Sequence, residues 1–99
     1  MSIVQFARFK GGDAEQIIKN ARVAKQIFEK HGAEFLRVSR FHTGQYAGEW
    51  LVTTRYANWE VYGKVQEAVS RDADFSKVWS KVMETSELVG RNVAVSVDL

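Results

Sequence analysis

Residues 33–56, AEFLRVSRFHTGQYAGEWLVTTRY, decide how this chain folds. From Ala33 to Thr43 the side chains alternate. Leu36, Val38, Arg40 and His42 fall on one side of an extended chain, and Phe35, Arg37, Ser39 and Phe41 on the other. Gly44-Gln45-Tyr46-Ala47-Gly48 is a loop of hairpin length with glycine at both ends. Glu49 to Tyr56 alternates again, with Trp50, Val52, Thr54 and Tyr56 against Leu51, Thr53 and Arg55. A β-hairpin therefore sits in the middle of the chain, and its surroundings set the topology.

Upstream, Ser2 to Lys10 reads as a strand with apolar residues in both alternating sets, ended by Gly11-Gly12. Asp13 is a good N-cap, and Gln16 three residues on completes a capping-box pattern. Ile17, Ala21, Ala24 and Phe28 then recur at helical spacing, with Ile18 and Ile27 beside them, until Gly32 stops the helix. Downstream, Asn58 caps a second helix that carries Trp59, Tyr62, Val65, Gln66 and Val69. The pattern hesitates at residues 71–74, where Asp74 reads as a fresh cap. Phe75, Val78, Trp79, Val82 and Met83 then form the cleanest amphipathic stripe, which the sequence ends at Gly90. Arg91 to Leu99 is a last strand.

The order is β-α-β-β-α-β with the second helix broken. This is a ferredoxin-like α+β fold: a four-stranded antiparallel sheet of order 4-1-3-2 with the helices on one face. Residues 1–99 are expected to form one domain. The opposite sheet face is expected to carry apolar and aromatic residues beside Arg8, Arg37, Arg40 and Arg55. An uncovered face of that kind predicts a homodimer, sheet on sheet.

Composition removes several function classes. There is no Cys, so thiol nucleophiles and thiolate metal sites are excluded. Fourteen basic against twelve acidic residues leave a net charge of +2, too little for a nucleic-acid arm. The third strand lacks the RNA-binding pattern, and Gly11-Gly12 lacks the spacing of a phosphate loop. No apolar run approaches a membrane span, and the N-terminus lacks the pattern of a signal peptide, so the expected address is the cytoplasm.

The opening strand, the Gly44–Gly48 hairpin, the aromatic third strand Glu49-Trp50-Leu51-Val52 and the broken helix with Phe75-Ser76-Lys77-Val78-Trp79 resemble the dimeric α+β barrel superfamily. The NIPSNAP-like and antibiotic-biosynthesis-monooxygenase-like branches are the most similar. The resemblance implies a homodimeric barrel with a pocket between sheet and helices for a flat aromatic molecule. It also implies cofactor-free chemistry of the monooxygenase or isomerase kind, with Asn, Trp, Tyr and Arg side chains orienting the ligand. Asn58, Trp59, Tyr62 and Arg55 supply those residue types at the third-strand to second-helix junction. Haem chemistry does not fit, because the first strand offers Gln5 in place of Asn and the second helix has no His.

Two readings follow. In the first, the protein binds a small aromatic molecule without a cofactor. His42 or Tyr62 acts as general base, Arg55 or Arg40 holds a developing oxyanion, and Asn58, Trp59, Trp50 and Trp79 contact the ligand. In the second, Asn58 is only a cap, the aromatic residues only pack, and the arginines form interface ion pairs in a non-catalytic dimeric module. His31 reads as structural, and no His spacing suggests a metal site.

Overall fold

The computed structural model describes residues 1–99. The elements are β1 (Ile3–Lys10), α1 (Ala14–His31), β2 (Phe35–Arg40), β3 (Trp50–Tyr56), α2 (Trp59–Ser70), α3 (Ala73–Thr85) and β4 (Glu87–Val95). The strands form one antiparallel sheet of order β2-β3-β1-β4, so β1 is central and pairs with both β3 and β4. This is the ferredoxin-like arrangement the hairpin and its flanking helices predict. No helix is long and apolar enough to cross a membrane.

The register assigns the two faces, because residues directly opposite one another share a side. On the helix side, Ile3 lies across from Tyr56 and Gln5 from Thr54. Ala7 lies across from Val52 and Phe9 from Trp50. β2 adds Leu36, Val38 and Arg40 to these rungs, and β4 adds Val95, Val93 and Arg91. The dry core sits at the Ile3–Tyr56 end, where both residues meet Ile27 of α1, Val65 and Val69 of α2 and Val78 of α3. The far face carries Val4, Phe6, Leu51 and Phe35, all half-buried, and no helix covers it.

Local chemistry explains the helix ends. The Asp13 carboxylate accepts from the Gln16 backbone N–H at 3.2 Å. The Gln16 side chain does not return to close the box; it donates to the Asn20 side-chain oxygen at 3.3 Å. Gly32 holds φ +124, and its N–H reaches the Glu29 carbonyl, so the chain reverses there without the strain a Cβ would add. The ends of α1 and α3 meet where the His31 ring lies 2.8 Å from the Asp72 carboxylate.

Three boundaries differ from the sequence reading. β2 ends at Arg40, because beyond it the ladder breaks: the Phe41 carbonyl accepts from the Gly48 N–H, and the Glu49 N–H turns away to the Tyr46 carbonyl. His42 therefore lies in the connection, not in the strand. The cap of α3 is Asp72 rather than Asp74. One Asp72 oxygen accepts the N–H groups of Asp74 (2.9 Å) and Phe75 (3.1 Å). α3 stops at Thr85, where Ser86 turns extended, so the last strand is Glu87–Val95 rather than Arg91 to Leu99, and Gly90 lies inside it. A Cβ at Gly90 would come within 3.2 Å of the Arg8 guanidinium, so here glycine permits close approach rather than ending a helix.

Candidate functional site

A cavity of about 270 Å³ opens between the sheet and the three helices. Its origin is a run of small side chains. The middle rung of the sheet is Val38, Val52 and Ala7, with Arg91 beyond them on the edge strand, and Ala21 and Ala24 of α1 face it from above. Large residues stand at both ends: Tyr56 closes the core end, and Phe9 and Trp50 the other. An apolar cavity of about 150 Å³ holds benzene, so this one has room for a larger flat molecule. α3 contributes Phe75 and Trp79, which stack at 6.0 Å, and the Trp79 ring meets Phe9 edge-on at 6.1 Å.

The polar groups gather toward the core end. The Gln66 side-chain amide donates to Gln5 Oε1 at 3.0 Å and to the Tyr56 hydroxyl at 3.0 Å. The Tyr56 hydroxyl in turn donates to Thr54 Oγ1 at 3.0 Å. Burial pushes the Tyr56 phenol above its ordinary range, against the opposing effect of the hydrogen bonds with Thr54 and Gln66. It is thus a neutral donor at physiological pH. Gln5 and Asn20 are both buried and both line the cavity. Arg91 is the one charged side chain in the lining, it has no ion-pair partner, and neither a carboxylate nor a histidine accompanies it. The walls are therefore aliphatic with aromatic residues at one end, and the polar groups are amides, the hydroxyls of Thr54, Ser70 and Ser86, and one guanidinium.

Of the residues singled out by sequence, Trp50 and Trp79 line this cavity. Arg40 stands outside it, its guanidinium 4.9 Å from the Trp50 ring and its Nε donating to the Gly48 carbonyl at 3.3 Å. The others lie elsewhere. His42 is exposed in the β2–β3 connection. Asn58 caps α2, accepting from the Val61 N–H at 2.9 Å. Trp59 is exposed and meets Tyr62 edge-on at 5.6 Å. Tyr62 packs against Tyr56 at 5.1 Å from outside the cavity. Arg55 is on the far face, 3.5 Å from the Glu34 carboxylate. Arg8 is also there, its Nε 3.1 Å from Glu49 and its guanidinium 3.7 Å above the Tyr46 ring. Arg8, Arg40 and Arg55 do not converge.

Sequence reasoning passed over Gln5, Asn20, Gln66 and Arg91. The usable signal was a polar residue within an otherwise apolar inward set: Gln5 between Ile3 and Ala7, Gln66 between Val65 and Val69, and Asn20 beside Ile17, Ala21 and Ala24.

Family models return no match to this chain, and no curated protein matches its sequence. Solved structures do match. Rv0793 from Mycobacterium tuberculosis superposes with a TM-score of 0.69 at 12% identity, over 100% of this chain and 98% of that one. SnoaB, a cofactor-independent oxygenase from Streptomyces nogalater, gives 0.70 at 11% identity, over 99% and 95%. A NIPSNAP family protein of unknown function from Agrobacterium tumefaciens gives 0.67 at 11% identity, over 94% and 84%. At such identity the likeness is one of fold. The chain carries the ferredoxin-like α+β fold seen in NIPSNAP and cofactor-independent oxygenase structures, the kind its sequence resembles.

Proposed function

We propose that the protein binds a small, flat, apolar molecule in the cavity between sheet and helices and acts on it without a cofactor, as an oxygenase or isomerase. The observation that carries this reading is the division of the cavity, with Trp50, Trp79 and Phe9 at one end and the Gln5–Gln66 amide pair at the other. An aromatic body stacks on the first, and its oxygen substituents meet the second. Arg91 and the Gln5 amide take the oxyanion-holding role that the sequence reading gave to Arg40 and Arg55. No histidine or carboxylate lines the cavity to act as base. The ligand is therefore one acidic enough to lose its proton to water once Arg91 stabilises the anion. The cofactor-independent oxygenase of the same fold supports the reaction class. We also infer a homodimer through the far face, because Val4, Phe6, Leu51 and Phe35 form an apolar patch there.

The test is native mass spectrometry of the untagged protein, run gently and then under denaturing conditions. A dimer carrying extra mass that is released on denaturation is the expected result, and the mass gives the ligand class. A bare protein that also leaves its tryptophan emission unchanged across a panel of naphthols, anthrones and flavonoids would sink the ligand-binding reading. The packed, non-catalytic module would then stand in its place.

A further inference from the structure

A second concavity, of about 380 Å³, runs along the outer surface between α1 and α3. The two helices lie side by side in opposite directions. Lys30 and Asp74 mark one end of this groove, and Lys19 and Lys81 the other, with Lys77 between. Four lysines against one aspartate make it strongly basic. Only Lys30 has an ion-pair partner, Asp72 at 3.3 Å; Lys19, Lys77 and Lys81 have none. The floor is not basic. It consists of Val23, Ile27, Val78 and the buried amide of Asn20.

Asn20 and Val78 also line the internal cavity. One layer of side chains therefore separates an apolar chamber from a cationic groove. The Asn20 oxygen is engaged by Gln16, while its NH₂ group makes no hydrogen bond within the protein. On the chamber side, Ala21 and Ala24 leave the wall of α1 thin.

The geometry points to an amphiphilic anion as the ligand. Its apolar body occupies the chamber, and its carboxylate or phosphate, on a short spacer, passes between α1 and α3 at Asn20 and Val78 to rest among Lys19, Lys77 and Lys81. This inference rests on the cavity being a ligand site and specifies what that ligand carries. Long-range attraction by the lysines favours the anion over its neutral analogue, and salt weakens that preference because the lysines are solvated. Passage requires the Asn20 side chain to rotate and the facing surfaces of α1 and α3 to part beside Val78, a collective motion of packed helices.

The experiment compares 4-(1-naphthyl)butanoate with 4-(1-naphthyl)butanol by isothermal titration calorimetry, on the wild type and on the K77Q/K81Q and R91Q variants. Both lysines are exposed, and circular dichroism melts confirm that the variant folds. The acid is expected to bind about tenfold tighter than the alcohol at low salt, two surface charge contacts being enough for that ratio. The preference disappears in K77Q/K81Q and at high salt, while the alcohol's affinity stays unchanged. Equal affinities in the wild type overturn the inference and leave the cavity reading standing. A preference that survives K77Q/K81Q but falls in R91Q also overturns it, placing the anion at Arg91 inside the chamber. If neither probe binds, the cavity reading fails and the inference with it.

Discussion

Gln66 Nε2 lies 3.0 Å from Gln5 Oε1, across a sequence separation of 61 residues. The contact joins α2 to the central strand, and the same nitrogen donates to Tyr56. Replacing Gln66 by Leu keeps the volume but leaves the Gln5 oxygen without its donor in a part-buried site. The expected cost is about 1–3 kcal/mol, the penalty of an unsatisfied polar group. Urea denaturation of Q66L measures it. A loss smaller than ~0.5 kcal/mol would mean water reaches these groups freely, since solvated surface changes fall in that range.

Ala7 sets the height of the cavity floor, so Ala7→Leu fills the chamber from the sheet side. A larger side chain entering pre-existing space avoids most of the strain of overpacking, and stability should change by less than about 1.5 kcal/mol. Ligand binding should be lost. Calorimetry with the naphthyl probes, beside a thermal melt, checks both halves. Retained affinity would place the ligand outside this cavity.

The Asp72 carboxyl is held well below the ordinary carboxylate range. The hydrogen bond with His31 is the largest cause, followed by the Phe75 backbone N–H and the Lys30 ammonium. A depressed folded-state value stabilises the fold above the ordinary value of 3.8. That contribution is lost as pH falls through the folded value. Asn at this position keeps the cap but removes the charge. D72N should therefore lower the urea midpoint at neutral pH, and the gap to wild type should narrow progressively as pH falls below 3.8. A gap of constant size across that range would show that the charge is not what matters.

Phe6 lies on the far face of the central strand, half-buried with nothing above it. If the proposed dimer forms through this face, Phe6→Glu should yield a folded monomer in light scattering, with the circular dichroism spectrum retained. A wild-type protein that is already monomeric at micromolar concentration would remove the sheet-on-sheet assembly.

The hairpin of residues 33–56 and its flanking helices made the topology legible, because alternation and helical spacing are local signals. The end of α3 was less legible. Gly90 resembles a helix stop, and only the guanidinium of Arg8 lying against it reveals a strand position. The site divides in the same way. Trp50 and Trp79 were legible as large apolar residues on inward faces. His42, Arg55, Asn58 and Tyr62 carry suitable chemical types, but type does not say which way a side chain points. Gln5 and Gln66 meet only after the sheet and α2 are assembled, so their pairing had no local trace.

The position of β1 also bears on when the protein can fold. β1 is synthesised before both of the strands it pairs with, β3 and β4. The Ser96 N–H donates to the Ser2 carbonyl at 2.8 Å, so the sheet seam is sealed by residues near opposite ends of the chain. Such non-local pairing is slow to form. During synthesis β1 must wait, with one edge open, until β4 has left the ribosome. Truncating the chain before β4 would leave that edge open permanently and hand it to any other strand in reach.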